Sequence, residues 1–280
     1  MKKLLLFAFL FYSISTIMFA QYAPGGDAPP ISPGKHFVHI ATPSNSTGNW
    51  TAIDNPNTNS NPTAKLFITH NYNASGSGVY NDHVSGLWYN STSWTIFNED
   101  GTPIIENSAY HILVADENQS TVFQHTARPS NINSNWTALT HPQLDGNPNA
   151  RILVTQILID TAANTYNNRE IGVFYNGANK WAIFNENMDA MPNGASFNIL
   201  ILNNDNSILH TAVSGNIQGS TTKIDLPALN NNPNAIIYVT QTWNGGGAPG
   251  VFNTQKVSTY YNGTQWTIYN EDNSINMVEN

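Results

Sequence analysis

The sequence contains no cysteine, and it is poor in charged side chains. Its 280 residues include 10 lysines and arginines and 18 aspartates and glutamates, so 10% are charged, against roughly 25% in an ordinary globular protein. The absence of cysteine excludes a disulfide framework, a thiolate metal site and a cysteine nucleophile. The net charge of −8 predicts no nucleic-acid partner, because binding to a phosphate backbone depends on clustered lysine and arginine.

Neutral polar side chains take the place of charged ones. Asparagine occurs 42 times, and it favours turns because its side chain hydrogen-bonds nearby backbone groups. The sequence has no Gly-Xaa-Ser-Xaa-Gly elbow, phosphate loop, dinucleotide fingerprint or His-Glu-Xaa-Xaa-His pair. We therefore predict no catalytic residue and no cofactor, and we expect a protein that is not an enzyme.

Residues 1–20 have the pattern of a secretory signal peptide. Lys2 and Lys3 precede an apolar stretch that ends at Ala20, where we expect cleavage. Residues 21–35 are rich in proline and glycine and predict an extended leader without a core of its own. No later segment approaches 18 consecutive apolar residues, so we expect no membrane span after signal removal and a secreted, periplasmic or cell-surface location.

The rest of the chain consists of three tandem repeats of about 86 residues, at residues 36–119, 120–205 and 206–280. Four anchors recur at this spacing: a histidine, an Asn-Pro pair, an aromatic-Asn pair and a block that begins with tryptophan and ends in Asn-Glu. That block stands at residues 94–99, 181–186 and 266–271. A fixed period of this kind is typical of a repeat architecture.

Each repeat is duplicated into two halves, and each half predicts three β-strands. Short β-branched and aromatic segments bounded by asparagine, proline and glycine indicate strands, and Asn-Gly pairs at Asn176 and Asn262 indicate hairpins. We predict an all-β fold of three repeats, built as sandwich-like modules in a row rather than as the six-bladed propeller that the same spacing allows. The third repeat stops before its last strand, so we expect that strand to come from elsewhere or its edge to stay open.

The motifs at residues 147–150, 172–175, 181–186 and 191–198 resemble a repeat found in many secreted bacterial proteins. The resemblance extends over nearly all of residues 36–280. That family is classed only as a domain of unknown function. The resemblance therefore implies an exported β-repeat protein and supplies no reaction, ligand or catalytic residue.

Two polar residue types recur in every repeat. They are the histidines His39, His125 and His210 and the glutamates Glu99, Glu186 and Glu271. Three histidines on a threefold axis could hold zinc, and histidine with glutamate could act as base and acid in a hydrolase. We favour a different interpretation, in which each histidine bonds a neighbouring strand in its own repeat and each glutamate accepts backbone N–H groups at a turn. We therefore predict no metal.

Aromatic residues of the long loops, and tryptophans that fall off the repeat period, are the candidate binding residues, because an aromatic ring beside amide groups offers stacking and hydrogen bonds to a sugar. The candidates are Tyr72, Tyr80, Trp88, Tyr166, Trp243 and Phe252, together with Asn81, Asn167 and Asn253. Repetition favours binding by avidity over catalysis. We expect a binding or adhesion module for polysaccharide or a surface glycan. The alternatives are an envelope or matrix protein that assembles through its repeats, and a hydrolase. The sequence leaves the oligomeric state open.

Overall fold

The computed structural model describes residues 16–22, 35–74, 76, 78–116, 119–159, 165–202, 207–244 and 250–279. Within these ranges every regular element is a β-strand. This part of the chain accordingly has no helix that could cross a membrane. The prediction of an all-β fold is confirmed.

The strands follow the sequence repeats. The first repeat forms β2 (Lys35–Ile40), β3 (Ser46–Thr47), β4 (Trp50–Ala52), β5 (Lys65–Asn71), β6 (Ser85–Tyr89), β7 (Trp94–Asn98) and β8 (Ala109–Ala115). The second forms β9 (Val122–Thr126), β10 (Ile132–Asn133), β11 (Trp136–Ala138), β12 (Arg151–Leu158), β13 (Ile171–Tyr175), β14 (Trp181–Asn185) and β15 (Ser196–Leu202). The third forms β16 (Ser207–His210), β17 (Ile217–Gln218), β18 (Thr221–Lys223), β19 (Ile236–Thr242), β20 (Val257–Tyr261) and β21 (Trp266–Asn270), and β1 (Thr16–Tyr22) precedes all of them.

The strands form three mixed sheets of seven strands, and each sheet combines two repeats. Sheet 1 has the order β3-β4-β7-β6-β12-β15-β9, sheet 2 the order β10-β11-β14-β13-β19-β1-β16, and sheet 3 the order β17-β18-β21-β20-β5-β8-β2. Neighbouring repeats meet at the short parallel pairs β6–β12, β13–β19 and β20–β5. Because β20 of the third repeat pairs with β5 of the first, the order of the repeats is cyclic.

Each repeat is a two-layer sandwich whose layers lie in different sheets. In the first repeat, Leu87 and Ile96 of sheet 1 belong to one buried core with Leu66 and Ile112 of sheet 3. The second and third repeats have equivalent cores. Sandwich-like units are therefore confirmed, with the difference that they form a ring rather than a row. The physical reason is that an unpaired strand edge is unfavourable, and the neighbouring repeat pairs with it.

The strands β5, β12 and β19 meet at the centre of this ring through their threonines. The backbone N–H groups of Ile68, Val154 and Val239 donate to the Oγ1 atoms of Thr155, Thr240 and Thr69, at 3.2, 3.0 and 3.0 Å. The three bonds run in one rotational direction and close on themselves. They define a pseudo-threefold axis, beside which Phe67, Leu153 and Tyr238 form a shared core.

The position of the missing strand in the third repeat is taken by β1. Phe19 pairs with Val239 of β19 on one side and with Ile208 of β16 on the other, both antiparallel. This is the place that β8 has in sheet 3 and β15 has in sheet 1. The replacement thus comes from the N-terminal segment, and β1 includes the predicted cleavage position after Ala20. The rest of the predicted signal peptide and most of the leader lie outside the described residues.

Two of the sequence anchors contact one another in every repeat. Trp94 is buried on β7, and its Nε1 donates to the carbonyl oxygen of Asn61 in the Asn-Pro turn at 2.8 Å. Trp181 with Asn147, and Trp266 with Asn232, form the same bond at the same distance. Burying an indole requires a partner for its N–H, which explains why both anchors recur together.

Candidate functional sites

The recurrent histidines bond threonines of their own repeats. The Nε2 atoms of His39, His125 and His210 lie 2.8, 2.7 and 2.8 Å from the Oγ1 atoms of Thr51, Thr137 and Thr222. Each threonine hydroxyl donates its single proton to an asparagine Oδ1, at 2.9 Å. The histidine must therefore donate through Nε2–H. Burial lowers the pKa of each of these histidines to about 4, which favours the neutral ring.

The recurrent glutamates lie at the junctions between repeats and accept backbone N–H groups there. Glu99 accepts from Asn167, and Glu186 accepts from Asn253. Burial raises the pKa of Glu99 to about 7 and that of Glu186 to about 8, although these hydrogen bonds act in the opposite direction. No ion pair joins a recurrent histidine to a recurrent glutamate within the described ranges, so the geometry forms no repeated His–Glu pair.

A different histidine pairs with a glutamate. His70 Nδ1 lies 2.5 Å from Glu271 Oε1, and neither side chain has exposed surface. Burial opposes ionisation of Glu271, but the charges of His70 and Lys256 and the hydrogen bonds outweigh it and hold the pKa below its usual value. The sequence interpretation missed His70 because it does not recur. Comparing the repeats at residues 70, 156 and 241, where glutamine stands twice, would have revealed it.

The six candidate aromatic residues fall into three clusters, one at each repeat junction. Tyr72 and Tyr80 pack on each other at 4.7 Å between ring centres and contact Tyr269. Trp88 packs on Trp50, and Tyr166 packs on Phe97. The third pair, Trp243 and Phe252, lies 5.8 Å apart at the junction of the second and third repeats.

This third cluster forms a cleft of about 280 Å³, which we call the aromatic cleft. It is lined by Asn135, Trp136, Phe174, Phe184, Met188, Trp243 and Phe252. Phe252 and Met188 are 40% and 56% exposed. The Nε1 atom of Trp243 is buried and has no hydrogen-bond partner among the described residues. An apolar and open surface of this kind is typical of a ligand site.

Glycine permits the close packing of two of the loop aromatics. A Cβ atom on Gly250 would lie 2.2 Å from the indole of Trp243, and a Cβ on Gly78 would lie 2.2 Å from the ring of Tyr72. Any other side chain at either position would displace the ring. These two glycines therefore position the aromatic side chains as well as connecting strands.

The three candidate asparagines lie in the interior. Asn81 is fully buried, and Asn167 and Asn253 are nearly so. Their Nδ2 atoms donate to the Oδ1 atoms of Asn98, Asn185 and Asn270, at 3.2, 2.9 and 3.0 Å. They join the loops to the central strands of the sheets, and none of them lines the aromatic cleft.

No group of three or more histidine, aspartate or glutamate side chains is placed to hold a metal ion within the described part of the chain. The segments 30–114, 91–201 and 176–280 each match the sequence model of one family, described as Domain of unknown function (DUF7452). No curated protein and no solved structure matches the chain.

Proposed function

Because the chain belongs to this family, whose description assigns no activity, we propose from its geometry that it is a non-enzymatic binding protein for polysaccharide or surface glycan. The observation that supports this most directly is the aromatic cleft, where Trp243 and Phe252 present partly exposed rings at a repeat junction. The cleft volume of about 280 Å³ is near the lower end of the usual range for ligand sites. It suits a short stretch of a sugar chain.

The arrangement of rings favours a ligand with flat apolar faces. Trp136 packs edge-on to Phe174 at 5.6 Å, and Phe174 packs edge-on to Trp243 at 6.2 Å. Such rings bury much apolar area with little loss of side-chain freedom.

Repetition around the ring favours a polymer over a single small molecule. The other two junctions have their own aromatic clusters, and each includes an exposed tyrosine, Tyr80 or Tyr166, at 40% or 50% exposure. Three sites on one chain bind an extended polymer with avidity. The three aromatic clusters contain different residues, which suits a polysaccharide whose sugar units differ along its length.

The test is the retention of the full-length chain on insoluble polysaccharides and on a glycan array. Phe252→Ala and Trp243→Ala are expected to weaken binding by about fivefold each, since each removes one stacking surface of order 1 kcal/mol. The matched control is Ile275→Ala, because Ile275 is 42% exposed but lies outside the cleft. Thermal melts establish that the variants stay folded.

Two results would contradict the proposal. One is the absence of retention on any glycan by the wild-type chain. The other is an equal loss of binding in Ile275→Ala, which would indicate that any reduction of exposed apolar surface has the same effect.

A further inference from the structure

Met188 has a backbone conformation that methionine rarely adopts. Its φ is 66°, in the left-handed region, where the Cβ atom of an L-residue crowds the following carbonyl oxygen. For a bulky side chain this conformation is an outlier, and outliers of this kind cluster at functional sites. The chain therefore has methionine here against the preference of the backbone.

The first repeat shows what the same turn requires. After β7 the N–H of Gly101 donates to the carbonyl oxygen of Asn98 at 3.1 Å, and after β14 the N–H of Met188 donates to that of Asn185 at 3.0 Å. Gly101 thus stands where Met188 stands, with a φ of 78°. Glycine enters this region without steric cost. The turn itself needs no side chain at this position.

The exposure of Met188 is a second feature that the fold does not require. At 56% it is the most exposed large apolar side chain in the described part of the chain. Met191 and Met277, in contrast, are buried, as is usual for methionine that fills a core. Packing within the fold therefore does not explain why methionine occupies position 188.

The hydrogen bond to the Met188 sulfur does not explain it either. Asn135 Nδ2 donates to Met188 Sδ at 3.4 Å and to the carbonyl oxygen of Asn185 at 3.3 Å. In the first repeat, Asn49 Nδ2 donates to the equivalent carbonyl oxygen of Asn98 at 3.0 Å, although glycine stands at the turn. A thioether sulfur is only a weak acceptor. The asparagine is therefore held in place without the methionine.

The aromatic cleft supplies the missing reason. Met188 of the second repeat lines it together with Trp243 and Phe252 of the third. A thioether side chain is flexible and polarizable, so it adapts to irregular apolar surfaces. We propose that Met188 is a ligand-contacting residue of the aromatic cleft, kept in a strained turn because its side chain packs on the apolar face of a bound sugar. This inference rests on the glycan-binding function proposed above.

Two substitutions separate the side chain from the backbone strain. Met188→Gly removes both, whereas Met188→Leu keeps the left-handed Cβ atom and an apolar side chain of similar volume. The full-length chain is titrated calorimetrically with cellohexaose and chitohexaose, whose equatorial substituents leave C–H groups on both faces of each sugar ring. Met188→Gly should weaken binding about fivefold, the effect of roughly 40 Å² of lost apolar contact, and Met188→Leu should stay within about twofold of wild type.

Thermal melts provide a measurement that does not depend on a ligand. Met188→Gly should melt at or above the wild-type temperature, since relief of strain offsets the greater chain entropy of glycine in the unfolded state. The matched control is Ser91→Gly. Ser91 has a φ of 82° in the hairpin between β6 and β7, outside the cleft, and Gly263 stands at the equivalent position in the third repeat. This variant should bind both oligosaccharides as the wild-type chain does.

The results that would overturn the proposal differ in what else they affect. Binding by the wild-type chain that is unchanged in Met188→Gly would remove Met188 from the site and leave the glycan-binding function standing. A lower melting temperature of Met188→Gly would show that the fold itself requires the methionine. The absence of saturable binding to either oligosaccharide would also overturn the proposal, and the glycan-binding function would fail with it only if the glycan array showed no retention either.

Discussion

The Glu271 carboxylate accepts a hydrogen bond from the backbone N–H of Asn81 at 3.0 Å, and this contact joins the last repeat to the first. The equivalent bonds from Asn167 to Glu99 and from Asn253 to Glu186 measure 3.3 and 3.2 Å. One glutamate therefore stands at each junction of the ring. Their pKa values are shifted in different directions, because only Glu271 faces His70 and Lys256.

Glu186→Gln should reduce the loss of stability that occurs as pH rises from 4.5 to about 8. The folded protein raises the pKa of Glu186 from 4.5 to about 8, so it binds a proton that the unfolded chain releases. Its stabilising effect is present below the unfolded pKa and is lost as pH rises through about 8. Urea unfolding across this window should show a smaller decrease for Glu186→Gln than for wild type. Glu106→Gln, at an exposed carboxyl, should follow wild type, and equal slopes for all three chains would contradict the assignment.

Glu271→Gln, in contrast, is expected to destabilise the fold at neutral pH. It leaves His70 without its charged partner in a site with no exposed surface, and breaking a buried pair costs about 3–5 kcal/mol. In the wild-type chain this contribution is present above the ordinary carboxyl pKa of 4.5 and is lost as pH falls below it. Urea unfolding at neutral pH measures the difference, with Glu99→Gln as the matched control. Similar stabilities for these two variants would show that the His70 contact has no special weight.

The recurrent histidines should destabilise the fold in acid. Their pKa of about 4 when folded lies below the ordinary 6.5, so the unfolded chain binds protons first. The contribution of these histidines to stability is fully present above pH 6.5 and is lost as pH falls towards about 4. His125→Gln keeps a donor for Thr137 but cannot titrate, and it should lose less stability over this range. His125→Gln unfolding that depends on pH as steeply as wild type would count against this origin of acid sensitivity.

The central threonine ring should be sensitive to loss of a single hydroxyl. Thr155→Val leaves the Ile68 N–H without its acceptor at the pseudo-threefold axis, at a cost of about 1–3 kcal/mol. Thr155→Ser keeps the hydroxyl and should stay closer to wild type. Urea unfolding of the two variants provides the comparison. If the valine variant were as stable as the serine variant, the threonine hydrogen bonds would contribute little to the free energy of unfolding.

The place of β1 in sheet 2 predicts a binding slot in a processed chain. Cleavage after Ala20 would leave Gln21 and Tyr22 of this strand, and the edges of β16 and β19 would lose their partner. A chain that begins at Gln21 should therefore bind a synthetic peptide of residues 16–22 by strand addition and should melt at a higher temperature with it. The same peptide with proline in place of Met18 is the control, because proline lacks the N–H. Equal effects of the two peptides, or none, would refute the prediction.

Much of the local structure could be predicted from the sequence. The Asn-Gly pair at Asn262 forms the expected hairpin between β20 and β21, with Gly263 at a φ of 103°. The bond between Trp94 and Asn61 spans 33 residues and lies within one repeat. Such features depend on side-chain alternation and turn chemistry within a few tens of residues, which a repeated sequence displays three times.

The candidate sites could be predicted only in part. Trp243 and Phe252 stand on loops whose composition indicates exposure, and the structure brings them together in one cleft. His70 and Lys256 were not recognised, because neither recurs in the other repeats. His70 and Lys256 lie close together because strands from three repeats pack at the axis. No local sequence pattern predicts that packing.

The sequence by itself determined the strands, their turns and the threefold period, because these follow from backbone preferences over short distances. Only the tertiary structure decided that the repeats close into a ring, that each sheet belongs to two of them, and that His70 lies against Glu271 across 201 residues. The physical reason is that the pairing of strand edges depends on how much surface it buries and on the chain entropy that is lost on closing long loops. Both depend on the whole assembled chain and on no single segment of it.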